Sequence, residues 1–457
     1  MSATQPRSEL VAHAAWPVDR IKDHAGKIGS GVTPSGGAAS YLDDGIPLLR
    51  SQNVHFDGLR LDDVAYIAEE THNEMSGSKL RPRDVLLNIT GASIGRCAFV
   101  PDDFGEGNVN QHVCIIRPAA RLNHKFLTYC LSAPWGQDQV FAGFTGASRQ
   151  GLGQRDLGEI QVPLPPVPEQ QRIAAYLDAG CAAIDAAVAA KRRQLETLDA
   201  LRKSIVYRAV TKGLNPTAPS RTSGVAWFGE IPQHWRCEHL KRFSKRIQAG
   251  MTPPTNTPEY YFDGTIPWFA PGSFNGDIDL REPRKLINEL ARSEGELRIF
   301  PAETVFVIGI GATIGKVGLV SAEASCNQQL IGIVCGHRMH SRFLAYQFKI
   351  YEDVIPGIAT ATTLPIFDQV KTGNLPTLQP PIDEQRSICA FLDAKLAESK
   401  NIVACIERQI ATLTAYRKSL IHECVTGQRR ITETEVRHTI GRIAKTTGAG
   451  QREDIHA

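Results

Sequence analysis

Asparagine, glutamine, arginine and lysine can each make two hydrogen bonds to one base edge in the major groove. The 457-residue chain places such residues beside short glycine- or proline-marked turns. In the first half they are Arg50, Gln52 and Asn53 after Ile46-Pro47, then Arg96, then Asn110-Gln111-His112, then Arg149 and Gln150 within TGASRQGLGQ. In the second half they are Lys316, Asn327-Gln328-Gln329, and the threonines of Thr360–Thr363, Thr362 among them. Any one of these taken alone is an ordinary turn or surface group. Together they suit reading of a duplex rather than turnover. Asn110-Gln111 and Asn327-Gln328 recur in both halves, which points to a structural duty for these two pairs.

Motifs that would support catalysis fail on inspection. Gly309–Lys316 resembles a phosphate loop, but Ile310 stands where a Walker A glycine should, and Val317 follows the lysine instead of Ser or Thr. No βαβ unit with an acid some 20 residues on supports a dinucleotide loop. The segment reads as a glycine-rich turn between strands, whose amides with Arg96 or Lys316 could approach a phosphate. Gly91-Ala-Ser-Ile-Gly95 fits GxSxG, yet the following Cys97–Val100 reads as a strand where a nucleophile elbow needs a helix. Neither an Asn/Asp-Pro-Pro-Tyr/Phe methyltransferase tetrapeptide nor HExxH occurs, and no nuclease carboxylate–lysine core stands in a convincing context. The histidines are dispersed. No catalytic residue, metal site or bound cofactor is expected of this chain.

The elements that would carry the candidate residues repeat. PPVPEQQRIAAYLD…LRKS at Pro165–Ser204 returns as PPIDEQRSICAFLD…YRKS at Pro380–Ser419, always 215 residues apart. Internal repeats of this kind precede every other inference. Each copy continues as a helix with a seam of alternating four- and three-residue steps. In the first the seam is Leu177, Cys181, Ile184, Val188, Lys191, Leu195, Leu198, Arg202 and Ile205. In the second it is Leu392, Leu396, Ser399, Val403, Ile406, Ile410, Leu413, Arg417 and Leu420. Seven of nine positions are apolar in each, narrow enough to want one partner helix. Each helix would be roughly 60 Å long at 1.5 Å per residue.

Landmarks also recur ahead of each helix. Trp16 matches Trp235, Gly31-Val-Thr-Pro34 matches Gly250-Met-Thr-Pro253, and Gly91–Gly95 matches Gly311–Gly315, at offsets of 219 or 220. Asn110-Gln111 matches Asn327-Gln328, and Phe126-Leu127 matches Phe343-Leu344, at 217. Short β-prone runs at 84–89, 97–100, 113–117, 304–308, 317–320 and 330–334 precede helical runs near 122–131 and 341–351. The expected class is α+β, with two similar globular α/β domains alternating with two long helices. The expected bounds are a loose N-terminus at 1–15, a first domain at 16–164, a helix at 165–213 and a polar linker at 214–226. A second domain at 227–379, a second helix at 380–427 and a disordered polar tail at 428–457 follow.

Composition bounds the class. Hydrophobic content of 42 % and charged content of 22 % are those of a soluble globular protein of two or three domains. A net charge of +3 says little, because clustering matters more than the sum. Clusters do occur at Lys191-Arg192-Arg193, at Lys241-Arg242 with Lys245-Arg246, and at Arg429-Arg430, each an ordinary solvated face on its own. No run of 18 apolar residues is present and the N-terminus lacks a signal-peptide core, so a cytoplasmic protein without a membrane partner is expected. Ten scattered cysteines with no CxxC read as free thiols.

The layout resembles the specificity subunits of type I restriction-modification systems. The resemblance rests on Pro165–Gln170 and Pro380–Gln385, the Leu-Asp at 177–178 and 392–393, the Arg-Lys-Ser at 202–204 and 417–419, and Trp227–Trp235. It spans about residues 16–427. It implies two target-recognition domains reading the halves of a split double-stranded DNA site, and long helices pairing antiparallel as a coiled coil. That pairing would use Leu177, Ile184, Val188, Leu195, Leu198 and Ile205 with Leu392, Leu396, Val403, Ile406, Ile410, Leu413 and Leu420. Two modification (methyltransferase) subunits would dock there and motor-nuclease restriction subunits would join, S-adenosylmethionine, ATP and Mg residing in those partners. A rigid spacer of about 60 Å would span roughly 18 base pairs, and unlike domains predict an asymmetric site. Two other classes fit the residues less well: a stand-alone DNA methyltransferase or nuclease, and an assembly factor binding protein.

Overall fold

The computed structural model describes residues 16–144, 151–359, 366–439 and 441. It divides into two compact units: residues 1–191 with 408–457, and residues 192–407. Both mix helix and sheet.

The first unit is built on a four-stranded antiparallel sheet, ordered Ala25–Ser30, Val113–Pro118, Val85–Asn88, Cys97–Phe99. Alternation along its strands supplies two buried faces. Val85, Leu87, Cys114 and Ile116 point into one cluster with the helix His124–Ser132, while Leu86, Val113 and Ile115 join Leu49 and Val54 in another. A smaller sheet, Ala65–Ile67 with Ile46–Leu49 and Asn108–Val109, includes one parallel pair. Val18–Arg20 pairs with Gln161–Pro163 just before the first long helix.

The second unit repeats this plan. Its main sheet runs Ser244–Ala249, Leu330–Cys335, Val305–Ile308, Val317–Leu319, and its smaller sheet again contains a parallel pair, Ile266–Phe269 with Ala324–Cys326. Arg236–His239 pairs with Pro376–Gln379 before the second long helix. The six β-prone runs and the two helical runs expected from sequence all form at those places.

The long helices span Val167–Lys212 and Ile382–Thr426, within two residues of expectation. In the first unit, Ile173, Tyr176, Leu177, Cys181 and Ile184 of one share a core with Leu420, Ile421, Cys424 and Val425 of the other. Arg417 Nε lies 3.0 Å from Asp185 Oδ1. In the second unit, Val206, Ala209 and Val210 share a core with Ile388, Cys389 and Leu392. Within each unit, therefore, the two long helices pack together. Every seam position is buried or half-buried, and between Lys191 and Ile205 every intervening residue is exposed.

Each helix start is tied by the same residue. Gln170 is fully buried; its Oε1 accepts from Asn123 N at 2.7 Å and its Nε2 donates to Arg121 O and Pro165 O. Gln385 is equally buried and does the same with His340 N, Arg338 O and Pro380 O. The repeated Asp178 accepts from Tyr129 and Lys125, and Asp393 accepts from Tyr346 and Arg342.

The first turns of each long helix are core to the sheet domain before it. Two boundary expectations are corrected. The stretch 214–226 is no free linker: Ser220–Thr222 pairs with Glu230–Pro232, and Val225 packs on the second unit's core. The tail is ordered over 428–439, where a helix starts after Thr432. Thr432 N donates to Glu435 Oε2 at 2.8 Å and Glu435 N to Thr432 Oγ1 at 3.3 Å, the reciprocal pair of a capping box. Ile431 is buried and Val436 packs beside it, while Arg429 and Arg430 stack on the rings of Tyr176 and Trp16.

By length and composition the first long helix is also apolar enough to cross a membrane. Its apolar side is consumed by the first unit's core through Ile173, Tyr176, Leu177 and Cys181.

Candidate nucleic-acid interface

In the first unit four turns converge at one end of the sheets, held by backbone and amide hydrogen bonds. Gly31 N donates to Val113 O at 3.2 Å, Asn110 N to Leu49 O at 3.1 Å and Ile89 N to His112 O at 3.0 Å. Leu152 N, on the far side of 145–150, donates to Ile89 O at 2.8 Å. Asn110 Oδ1 accepts from His112 N at 3.1 Å, and Gln111 accepts from the Thr33 hydroxyl. Gly31 has no alternative residue: an added Cβ would lie 1.8 Å from Val109 O.

The second unit builds the same junction bond for bond. Gly250 N meets Leu330 O, Asn327 N meets Phe269 O, Gly309 N meets Gln329 O, and Phe367 N meets Gly309 O. Asn327 Oδ1 accepts from Gln329 N at 3.1 Å, and Gln328 accepts from the Thr252 hydroxyl. The structural duty expected of the repeated Asn-Gln pairs is therefore what they perform.

The glycine-rich segments are hairpin turns. Asn88 N donates to Arg96 O and Gly95 N to Asn88 O; Ile308 N donates to Lys316 O and Gly315 N to Ile308 O. Gly95 and Gly315 hold φ of 84° and 89°, where a side chain is strained.

The candidate readers divide on this frame. Lys316 and Gln52 are exposed at their turns, and Arg96 is half-buried. Gln52 Nε2 lies 2.5 Å from Asp63 Oδ2. Arg50 folds back onto its own unit, donating to Asp63 O at 3.1 Å beside the Tyr41 ring. His112 Nδ1 is 2.7 Å from Thr90 Oγ1, and Gln329 Oε1 accepts from Asn327 Nδ2 at 2.9 Å. Asn53 is a correction. It is 1 % exposed, accepts from Arg50 N and donates to Arg60 O and Asp63 O, so it closes a turn and has no edge left for a base. Arg149, Gln150 and Thr362 lie outside the described residues, in the segments that lead into Leu152 and Phe367.

Sequence reading missed a groove of the second unit, along the strand that leads to this junction, lined by residues that include Lys241, Lys245, Arg246 and Asn374 and about 390 Å³ in volume. The basic cluster was visible, but that Asn374 faces it was not.

None of the ten cysteines forms a disulfide, and Cys405 alone of them is exposed. Burial pushes the Cys97, Cys335 and Cys389 thiols up to about 12, away from thiolate chemistry. Among the described residues no group of three His, Cys, Asp or Glu side chains could hold a metal ion.

Known proteins resemble both the sequence and the fold. A putative type I restriction enzyme specificity subunit, MjaX of Methanocaldococcus jannaschii, is 20 % identical over 428 residues, covering 91 % of this chain and 94 % of the relative. The EcoBI specificity subunit of Escherichia coli is 28 % identical over 205 residues, 43 % of this chain and 38 % of the relative. A chain solved in work on complex assembly and conformational transition of the type I R-M system matches with TM-score 0.69 at 17 % identity, over 90 % of this chain and 97 % of that one. The HsdS subunit of Thermoanaerobacter tengcongensis matches with TM-score 0.53 at 19 % identity, over 91 % and 97 %. The family described as type I restriction modification DNA specificity domain matches residues 63–197 and 239–408, more than half of the chain. With the doubled sheet domain, this match places the protein in the type I restriction-modification DNA specificity family, as a specificity subunit.

Proposed function

We propose that each unit presents one target-recognition domain, and that the two read the unlike halves of a split, asymmetric duplex site. The observation that carries this is the junction built twice with one set of framework bonds and two sets of tip residues. Arg50, Gln52, Arg96 and His112 in the first stand where Ala270, Gly272, Lys316 and Gln329 stand in the second. A fixed frame with variable tips is how binding sites are carried on loops. Within each half, the exposed tips and the segments 145–150 and 360–365 contact bases. The seam residues Leu177 to Ile205 and Leu392 to Leu420 pair as an antiparallel coiled coil that fixes the gap between half-sites. Their outer faces dock two modification subunits, with restriction subunits joining in the cytoplasm. S-adenosylmethionine, ATP and Mg belong to those partners. Membership in a family whose solved relative comes from work on complex assembly supports this partnership.

The test is selection from random duplexes by the purified protein with its modification subunits. An asymmetric bipartite sequence with a fixed gap is expected. Recovery of no sequence above background would sink the reading. Leu198→Asp or Leu413→Asp should relax the gap or weaken docking; an unchanged gap with normal assembly in both would refute the spacer role.

A further inference from the structure

The groove along the first strand of the second unit's main sheet has a chemistry that its counterpart lacks. Its walls are the strand Ser244–Ala249 with the preceding turn, and the short helix Gln369–Gly373. Lys241, Lys245 and Arg246 line it, and none of its lining residues is a carboxylate. Arg246 is committed to the fold, with its guanidinium 4.6 Å from the Phe300 ring and donating to Ile299 O. Lys245 is exposed, and Lys241 Nζ donates to the neutral amide of Asn374 at 2.8 Å, which leaves its charge uncompensated by that contact.

The same positions of the first unit are electrostatically closed. Lys22, the counterpart of Lys241, forms an ion pair with Glu159, which stands where Asn374 stands in the second unit. Arg20 approaches the same carboxylate at 3.6 Å and pairs with Asp23 at 2.9 Å. Gly26 takes the place of Lys245. Against the first unit, the second groove exchanges Glu159 for Asn374, Gly26 for Lys245 and the exposed Arg155 for Val370, so it loses the only carboxylate among its lining positions and gains a lysine on the strand.

Both walls lead to the junction. The strand runs straight into Gly250, and the helix begins two residues after Phe367, whose amide donates to Gly309 O. Lys245 is seven residues from Thr252, about 20 Å along an extended strand. That is the span of about six base pairs at 3.4 Å each.

We propose that Lys241 and Lys245 form a backbone clamp, binding duplex DNA phosphates alongside the half-site of the second domain, and that the first domain has no equivalent clamp. This rests on the DNA-reading function above. It adds that the two domains contribute unequally to the salt-dependent part of binding. Each neutralised phosphate steepens the dependence of log K on log salt by about 0.9.

The experiment measures anisotropy of a random-sequence duplex with the full-length chain, titrated with potassium chloride. The double variants Lys241→Glu/Lys245→Glu and Lys241→Gln/Lys245→Gln are compared with Lys22→Glu, each checked for unaltered circular dichroism. Both double variants are expected to lose about 2 from the slope, and Lys22→Glu less than about 1. An unchanged slope in the glutamine variant, or an equal loss in Lys22→Glu, overturns the clamp. If the clamp fails while the selected sequence persists, the specificity reading stands. If the wild-type chain binds no duplex at low salt, the clamp falls, and selection with the modification subunits decides the specificity reading separately. Inorganic phosphate at millimolar concentration should not compete; competition would reassign the groove to a free anion and overturn the clamp.

Discussion

The two units are one frame carrying different equipment. Framework bonds recur at matched positions: the paired glycines at 31 and 250, the paired Asn-Gln turns, and the buried glutamines at 170 and 385. What differs lies at the tips, in the groove, and at the helix entry. There Glu384 accepts from the buried Trp235 Nε1 at 3.1 Å and sits 2.8 Å from His234 Nε2. In the first unit Glu169 turns to Arg172 within its own helix, and Trp16 is covered instead by Arg430 from the ordered tail at 4.0 Å. The lesson is that repetition in this molecule is kept where backbone polar groups must be satisfied in the interior. It is released where side chains meet solvent or a ligand.

The largest test of that division strikes the shared frame. Gly31→Ala would drive a methyl to 1.8 Å from Val109 O, and Gly250→Ala to 2.1 Å from Cys326 O. Since these neighbours are backbone, each substitution should cost about 3 kcal/mol or more, read by urea unfolding. A large cost in one unit and none in the other would break the equivalence. A medium effect should separate the helix entries. Glu384→Ala strands a buried indole N–H and should cost about 2 kcal/mol, whereas Glu169→Ala should cost about 1 or less. Equal losses would erase the distinction drawn between the entries.

The smallest effect concerns pH. Burial holds the imidazoles of His124 and His340, beside the matched helix starts, below their ordinary value. Folding resists their protonation, so stability is complete above about pH 6.5 and falls as pH drops below the unfolded-chain value. His124→Gln and His340→Gln should each flatten the melting temperature between pH 7 and 5.5. A profile unaltered by both would assign the acid sensitivity elsewhere.

The duplication, the class, the strand runs and the two long helices were all legible, because periodicity and fixed offsets are properties of the chain itself. The seam is the sharpest case. Alternating steps of four and three set residues such as Leu195, Leu198, Val403 and Ile410 on one face of a helix, which follows from helix geometry alone. The tertiary structure decided the rest, because burial and charge compensation depend on residues far apart in sequence. Asn53 looked like a reader until its amide was found spent on Arg60 and Asp63. The tail looked loose until Ile431 and Arg430 found partners from the other end of the chain. Lys22 and Lys241 are indistinguishable as letters; only the residue facing each across a groove, Glu159 or Asn374, sets whether its charge is available to a phosphate.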